Sequence, residues 1–330
     1  MSVGRMRAVV TGADGFLGAN LCRALIDAGH EVTAAALRRK GHTSLDALGV
    51  SCRVEYGDIT DSAFVDRVIL GTEAEWVFHL AAVSIVRIAQ ADPRRAYETN
   101  IMGTVNVLEA CRKSAHVKSV LVASSDKAYG DHGGQPYRES MPLLPIAPYE
   151  VSKAAADLIA QSYGSTYGLP VKVLRCANLY GPGDLNWSRL VPNSCRLALS
   201  GKSPVVHEGS GGMQREWLYV EDAVAAYLLL AERGQPGPYN VGSGSTGGNC
   251  TAFGVAAMIS READGAYPTL ISKAAPFAEI PAQMLDSTKV EGLGWKPTRT
   301  MMAGVSDTVD WYSRYLGMGT RWDALRQVPA

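Results

Sequence analysis

No stretch of this sequence reaches the run of about 18 consecutive apolar residues that a membrane-spanning helix requires, so no transmembrane segment is expected. The N-terminus, Met1 to Arg7, has no charged head leading into a long apolar stretch and a small-residue cleavage site, which argues against a secretory leader. Excess charge of either sign is also missing. Lys+Arg and Asp+Glu both number 32, for a formal net charge of zero. Nothing therefore draws the chain in bulk to nucleic acid or to an anionic membrane, although a local basic pocket for a small phosphorylated ligand is still allowed. The six cysteines (Cys22, Cys52, Cys111, Cys176, Cys195 and Cys250) include no CxxC pair. Four sit inside apolar or helical patterns and read as reduced, buried thiols. No internal repeat or low-complexity tract is visible. A cytoplasmic protein with neither a nucleic-acid nor a membrane partner is expected.

What is present is a globular composition. Of 330 residues, 47% are hydrophobic and 19% charged, enough for a sizeable core. The length suits about two domains of roughly 150 residues, or one large α/β domain with an added lobe. Apolar runs at Arg7–Thr11, Glu31–Leu37, Arg53–Tyr56, Trp76–Leu80, Ser119–Ala123 and Val171–Cys176 read as strands. Helical patterns at Phe16–Ala28, Asp61–Leu70, Pro93–Lys113 and about Tyr149–Tyr167 separate them. Strands apolar throughout and alternating with helices predict a doubly wound α/β fold, a parallel sheet covered on both faces. After Gly181 the chain is punctuated by Gly and Pro and its helices shorten. Residues 1–180 are assigned to a dinucleotide-binding domain, and 181–330 to a smaller substrate-binding lobe whose segments interleave with the first.

The first strand ends in Gly12-Ala13-Asp14-Gly15-Phe16-Leu17-Gly18, with Gly12, Gly15 and Gly18 in GxxGxxG spacing. Glycine there permits a tight turn, close approach of backbone to a pyrophosphate, and packing of helix on strand. The following helix N-terminus offers unpaired N–H groups and a positive dipole end to the phosphates. A merely structural Gly-rich turn is the other reading, but the placement after the first strand favours a Rossmann-type cofactor site. The second strand ends without the carboxylate that usually accepts from the ribose of NAD. Arg38 and Arg39 stand there instead, either as a clamp on the extra phosphate of NADP or as a solvated basic turn. The cofactor is read as NAD(P)+, leaning to NADP+.

Pro148 suits the first turn of a helix, and Tyr149 and Lys153 then share one face. A phenol with a pKa of about 10 is a poor base at neutral pH, and a neighbouring ammonium together with a nicotinium charge is expected to lower it. An ordinary surface pair is the bland alternative. Ser125, just past the fifth strand, is placed to bond a substrate oxygen beside Tyr149, since strand C-termini face the ligand crevice. Asp126-Lys127 follows it, either as further chemistry or as a solvated ion pair.

With these motifs in view, the chain resembles the extended short-chain dehydrogenase/reductases that act on nucleotide sugars. The resemblance covers nearly the whole chain: TGADGFLG, Gly57-Asp58-Ile59, His79-Leu80-Ala81-Ala82, Thr99-Asn100, SSDKAYG, PYEVSK, Asn178-Leu179-Tyr180-Gly181-Pro182, Arg215-Glu216-Trp217 and Tyr239-Asn240-Val241-Gly242. Within that family, epimerases and decarboxylases often carry small residues after the catalytic Ser or Thr, whereas 4,6-dehydratases usually carry Asp-Glu. Asp-Lys, as here, resembles the CDP-glucose 4,6-dehydratases, while the Arg-Arg after the second strand is closer to the GDP-mannose 4,6-dehydratases.

The resemblance implies cofactor contacts from Asp58, Ile59, Leu80, Ala81, Ala82 and Asn100 besides the glycine loop, Tyr149 and Lys153. It implies substrate contacts from Asn178 and Arg215, with Arg189, Leu190 and Val191 bordering the base or sugar. It also implies a homodimer pairing the Pro93–Lys113 and Tyr149–Tyr167 helices in a four-helix bundle, and no metal. The reaction implied is dehydration of a nucleotide-diphosphate sugar. Tyr149, helped by Ser125 and Lys153, takes the C4 hydroxyl proton during oxidation. Lys127 then takes the C5 proton, and Asp126 protonates the departing C6 hydroxyl. A 4-epimerase would need everything except Asp126-Lys127. A non-catalytic cofactor sensor would need none of Ser125, Tyr149 and Lys153.

Overall fold

Alternation along each central strand sends side chains to two separate cores. On β4 (Trp76–His79), Trp76 and Phe78 enter one cluster while Val77 enters the other. On β5 (Ser119–Ala123), Leu121 faces the first and Val120 and Val122 the second. A sheet apolar on both faces must be covered on both. The helices Phe16–Asp27 and Val220–Arg233 supply Leu21, Leu25, Tyr227 and Leu230 to the first cluster. The helices Ser62–Leu70 and Gly103–Lys113 supply Val65, Ile69, Val107 and Leu108 to the second.

These strands belong to a computed structural model that describes residues 4–37, 41–207, 211–244, 246–271 and 280–317. With β1 (Arg7–Thr11), β2 (Glu31–Ala36), β3 (Arg53–Tyr56), β6 (Val171–Cys176) and β10 (Gly237–Val241), the two strands form a seven-stranded sheet in the order β10-β6-β5-β4-β1-β2-β3. All its pairings are parallel. The strand order reverses between β1 and β4, and a crevice opens at such a switch point. The sheet agrees with the expected doubly wound α/β architecture. Its edge strand β10 comes from the far half of the chain.

A smaller sheet joins β7 (Asn178–Tyr180), β9 (Gln214–Tyr219) and β11 (Asn249–Thr251), and β8 (Val205–His207) pairs with β12 (Thr269–Ile271). A third apolar cluster, including Tyr180, Cys195, Ile259 and Tyr312, binds the smaller sheet to the helices Leu190–Leu199, Ala252–Glu262 and Met301–Tyr315.

The expected unbroken helix Pro93–Lys113 is instead two α-helical pieces, Pro93–Tyr97 and Gly103–Lys113, joined by a π-helical turn over Glu98–Met102. Side-chain periodicity does not register one such wide turn, and π turns favour functional positions. Here the turn carries the buried Asn100. No helix among the described residues is long and apolar enough to cross a membrane.

Candidate active site

A cavity of about 540 Å³ opens where β1, β4, β5 and β6 end, with Gly12, Ala81, Ser125 and Cys176 at those four ends on its wall. At Gly12 the backbone is left-handed (φ 68°), and a Cβ there would stand 2.8 Å from Ala81 Cα. The loops after β1 and β4 thus meet backbone to backbone. A Cβ at Gly18 would run into the Gly12 carbonyl oxygen and come within 2.7 Å of Ala13 Cα, so helix and strand pack at glycine distance. Gly15 differs: its nearest obstacle is the Gly12 oxygen at 3.3 Å. Gly15 caps the helix Phe16–Asp27 in an extended conformation without a side-chain cap, and Phe16, Leu17 and Gly18 line the cavity. Uncapped first-turn amides opening on a space free of side chains fit a dinucleotide pyrophosphate. Asp14 lines the same wall, and burial pushes its carboxyl above the ordinary range.

The opposing loop, Leu80-Ala81-Ala82, is held by a buried chain of hydrogen bonds. Thr104 Oγ1 donates to the Asn100 carbonyl at 2.6 Å and so accepts from His79 Nε2 at 3.0 Å. That leaves His79 Nδ1 to accept from Thr11 Oγ1 at 2.8 Å. The Thr11 oxygen in turn accepts from the amides of Leu80 and Ala81, each at 3.2 Å. Burial, aided by the charge of Lys153, brings His79 down to about 3, which keeps the imidazole neutral. Asn100 lies behind the wall: its carboxamide accepts from Val83 N at 2.7 Å and donates to Ser152 Oγ at 2.8 Å, tying that loop to the Tyr149 helix. Asp58 and Ile59 follow β3 outside the cavity lining. Asp58 is exposed and accepts from Thr60 N at 2.9 Å, while Ile59 is buried against Gly103. Arg38 and Arg39 lie outside the described residues.

Tyr149 and Lys153 both face the cavity and are only 8% and 7% exposed. Pro148 opens their helix, and the Glu150 carboxylate accepts from the amides of Ile146 and Ala147 at 3.2 Å. Lys153 Nζ donates to the Ala123 carbonyl at the end of β5 at 2.5 Å. Burial brings the Lys153 ammonium down to about 8. The expected lowering of the phenol is not what the protein alone produces. Burial pushes Tyr149 up to about 12, against the opposing hydrogen bond of Ser125. The desolvation of a phenolate in this wall outweighs the charge of Arg189.

Ser125 caps a 3-10 turn over Asp126–Tyr129. Its hydroxyl accepts from Lys127 N at 3.2 Å and donates to Asp126 Oδ1 at 2.9 Å. Asp126 is 2% exposed, and its Oδ2 finds no hydrogen-bond partner among the described residues. A solvated ion pair is therefore not what this dipeptide makes. Burial raises the Asp126 carboxyl above the ordinary range, against the pull of Lys127 and Ser125. Lys127 also lines the cavity, and its Nζ donates to Gln283 Oε1 at 3.2 Å.

On the far wall, Asn178, Arg189, Leu190 and Val191 line the cavity. Arg189 pairs with Asp184 Oδ2 at 3.2 Å and donates to Ser84 Oγ at 3.1 Å, spanning the two halves of the crevice. Asn178 Nδ2 donates to the Glu216 carbonyl at 3.2 Å. Arg215 is not on the lining: it is 7% exposed and donates to the Gln214 carbonyl at 3.0 Å, while its charge reaches the Asp126 carboxyl. Cys176 and Tyr227 form a part of the wall that motif reading missed. The position of Cys176 at the carboxyl end of a parallel strand was the available signal. Tyr227 and Gln283 had none, since each reaches the site from a distant apolar helix or a segment without periodicity. No cluster among the described residues has the makings of a metal site.

Residues 8–242 match the profile of the NAD dependent epimerase/dehydratase family. A probable dTDP-glucose 4,6-dehydratase of Sinorhizobium fredii is 33% identical over 343 residues, covering 97% of this chain and 96% of that protein. The dTDP-glucose 4,6-dehydratase DesIV of Streptomyces venezuelae, solved with NAD bound, superposes with a TM-score of 0.86 at 30% identity, covering 94% of this chain and 98% of its own. A UDP-glucose 4-epimerase of Thermotoga maritima gives the same TM-score, 0.86, at 29% identity, covering 94% of this chain and 100% of its own.

Proposed function

The chain belongs to the NAD dependent epimerase/dehydratase family, and from that premise we propose that it is a nucleotide-sugar 4,6-dehydratase. The observation that carries this reading is the Asp126 carboxyl: buried, raised above the ordinary carboxylate range by that burial, bonded to Ser125 and facing the same cavity as Tyr149 and Lys127. A carboxyl that holds its proton more firmly than a solvated one suits protonation of a departing hydroxyl. A 4-epimerase has no step that uses it.

The bound nicotinamide would take hydride from C4 and return it to C6. The residues do the rest. Tyr149 would accept the C4 hydroxyl proton as a phenolate, the nicotinium charge offsetting the burial that pushes it up, with the Ser125 hydroxyl turned from Asp126 to the same oxygen and Lys153 fixed beside it by the Ala123 carbonyl. The C4 ketone acidifies C5–H, and Lys127 takes that proton. The electrons of the C5–H bond form the C5–C6 double bond as the C6–O bond breaks, and Asp126 protonates the leaving hydroxide. A proton returned to C5 completes the 4-keto-6-deoxy sugar.

Residues 1–180 would chiefly hold the dinucleotide and residues 181–330 the sugar nucleotide, with Arg189, and Asn178 from the first domain, toward the diphosphate and base. For the cofactor, Arg38 and Arg39 in place of a carboxylate favour NADP, whereas DesIV was solved with NAD. Competitive titration with both forms distinguishes them. Two copies would pair through the helices Gly103–Lys113 and Pro148–Tyr167 and the turn between Pro93 and Gly103. Met102, Leu158 and Tyr167 on these elements stay 53%, 57% and 57% exposed, in keeping with an uncovered apolar face. Free thiols at all six cysteines suit a cytoplasmic protein. The test is a panel of CDP-, GDP-, UDP-, dTDP- and ADP-linked sugars followed by mass: loss of one water supports the dehydratase, and an isomer of unchanged mass supports the epimerase.

A further inference from the structure

The residue facing Lys127 comes from the other end of the chain. Gln283 is completely buried, its Oε1 accepts from Lys127 Nζ at 3.2 Å, and its Nε2 has no partner among the described residues. Its backbone is fixed on two sides. Gln283 N donates to the Gln214 carbonyl at 3.3 Å, next to an isolated bridge between Gln214 and Ala282. Leu285 N donates to the buried Glu216 carboxylate at 2.8 Å, and Tyr137 N donates to the Met284 carbonyl at 2.8 Å. A buried amide on so rigid a segment, with half of its hydrogen-bonding capacity unused, is costly for folding alone.

We propose that Gln283 is the positioning residue for Lys127, holding its amine at the sugar C5 while leaving it able to lose its proton. This rests on the dehydratase reading. The chemistry of an amide suits the task. A carboxylate at this place would also hold the lysine, but would fix it as the ammonium, which cannot take a proton from C5. A neutral carbonyl oxygen orients either protonation state. The titratable groups gathered around this pair are Asp126 and Tyr149 on the cavity wall, Arg215 and Glu216 on β9, and Tyr137, which senses Asp126 and Arg215.

The test uses Gln283→Leu and Gln283→Glu in the full chain, with the nucleotide sugar that the wild type dehydrates. Steady-state rates, the absorbance of reduced nicotinamide during turnover, and the isotope effect of C5-deuterated substrate are recorded across pH. Gln283→Leu should lower kcat at least about tenfold with KM within about threefold, accumulate reduced nicotinamide, and raise the isotope effect, because C4 oxidation continues while the C5 step slows. Gln283→Glu should move the acid limb of the kcat profile up by about one pH unit or more. An unchanged isotope effect in Gln283→Leu, or a wild-type profile in Gln283→Glu, overturns the proposal. Should Gln283→Leu not fold, the profile of the near-isosteric Gln283→Glu decides the matter by itself. Wild-type enzyme yielding an isomer of unchanged mass would overturn the dehydratase reading instead, whereas normal dehydration with silent Gln283 variants overturns only this inference.

Discussion

Ser125 donates its hydroxyl proton to Asp126 Oδ1 at 2.9 Å, which joins the residue beside the Tyr149 phenol to a carboxyl kept from water. On the dehydratase reading, the two chemical tasks proposed for the site, oxidation at C4 and elimination across C5 and C6, would be linked through this one short turn. Replacing Asp126 by Asn preserves shape and burial but leaves no acidic proton. Turnover should fall by about 10²–10⁴-fold, while oxidation at C4 persists and reduced nicotinamide builds up during the reaction. Stopped-flow absorbance checks this; unimpaired turnover in Asp126→Asn contradicts the assignment.

The second and third glycines of the loop after β1 should behave differently. A methyl group at Gly18 collides with the Gly12 and Ala13 backbone, so Gly18→Ala should lower thermal stability. At Gly15 the nearest atom stands at 3.3 Å, a milder crowding, so Gly15→Ala should lose less Tm than Gly18→Ala yet bind dinucleotide about tenfold more weakly. Paired melting and titration experiments separate these effects.

Stability in mild acid should depend on His79. Folding holds its imidazole neutral down to about 3, while the unfolded chain protonates near the ordinary 6.5. Between those values the unfolded state binds more protons. The contribution is therefore fully present above pH 6.5 and is lost as pH falls toward 3, amounting to roughly 2 kcal/mol by pH 5. Urea midpoints of wild type and His79→Gln should diverge at pH 7 and converge by pH 5. Parallel curves would rule the linkage out.

Arg175 on β6 and Asp157 on the Tyr149 helix form a bidentate pair, 2.8 Å and 3.0 Å, that is 2% and 0% exposed. The Arg175 guanidinium also lies 4.8 Å from the centre of the Tyr129 ring. Asp157→Ala would strand the guanidinium and should cost about 3–5 kcal/mol in denaturant unfolding. Because the pair sets the pose of the helix bearing Tyr149 and Lys153, activity should fall in the fraction that remains folded.

Much of this was legible in residue order. The strands β1, β3, β5 and β6 fall where apolar runs bounded by turns placed them, and the glycine loop, Ser125, Tyr149 and Lys153 converge because parallel strands end on one rim. What escaped depends on contacts between distant segments. The π turn at Asn100 leaves the apolar spacing around it intact, and Gln283 meets Lys127 across a separation of 156 residues. The rise of the Tyr149 phenol to about 12 follows from burial, which a Tyr-xxx-Lys spacing does not disclose.

The most direct measurement is conversion of the accepted nucleotide sugar in heavy water, with the product read by mass and NMR. The account predicts a 4-keto-6-deoxy sugar, lighter by one water and carrying solvent deuterium at C5. A product of unchanged mass, inverted at C4 and free of deuterium at C5, would contradict it.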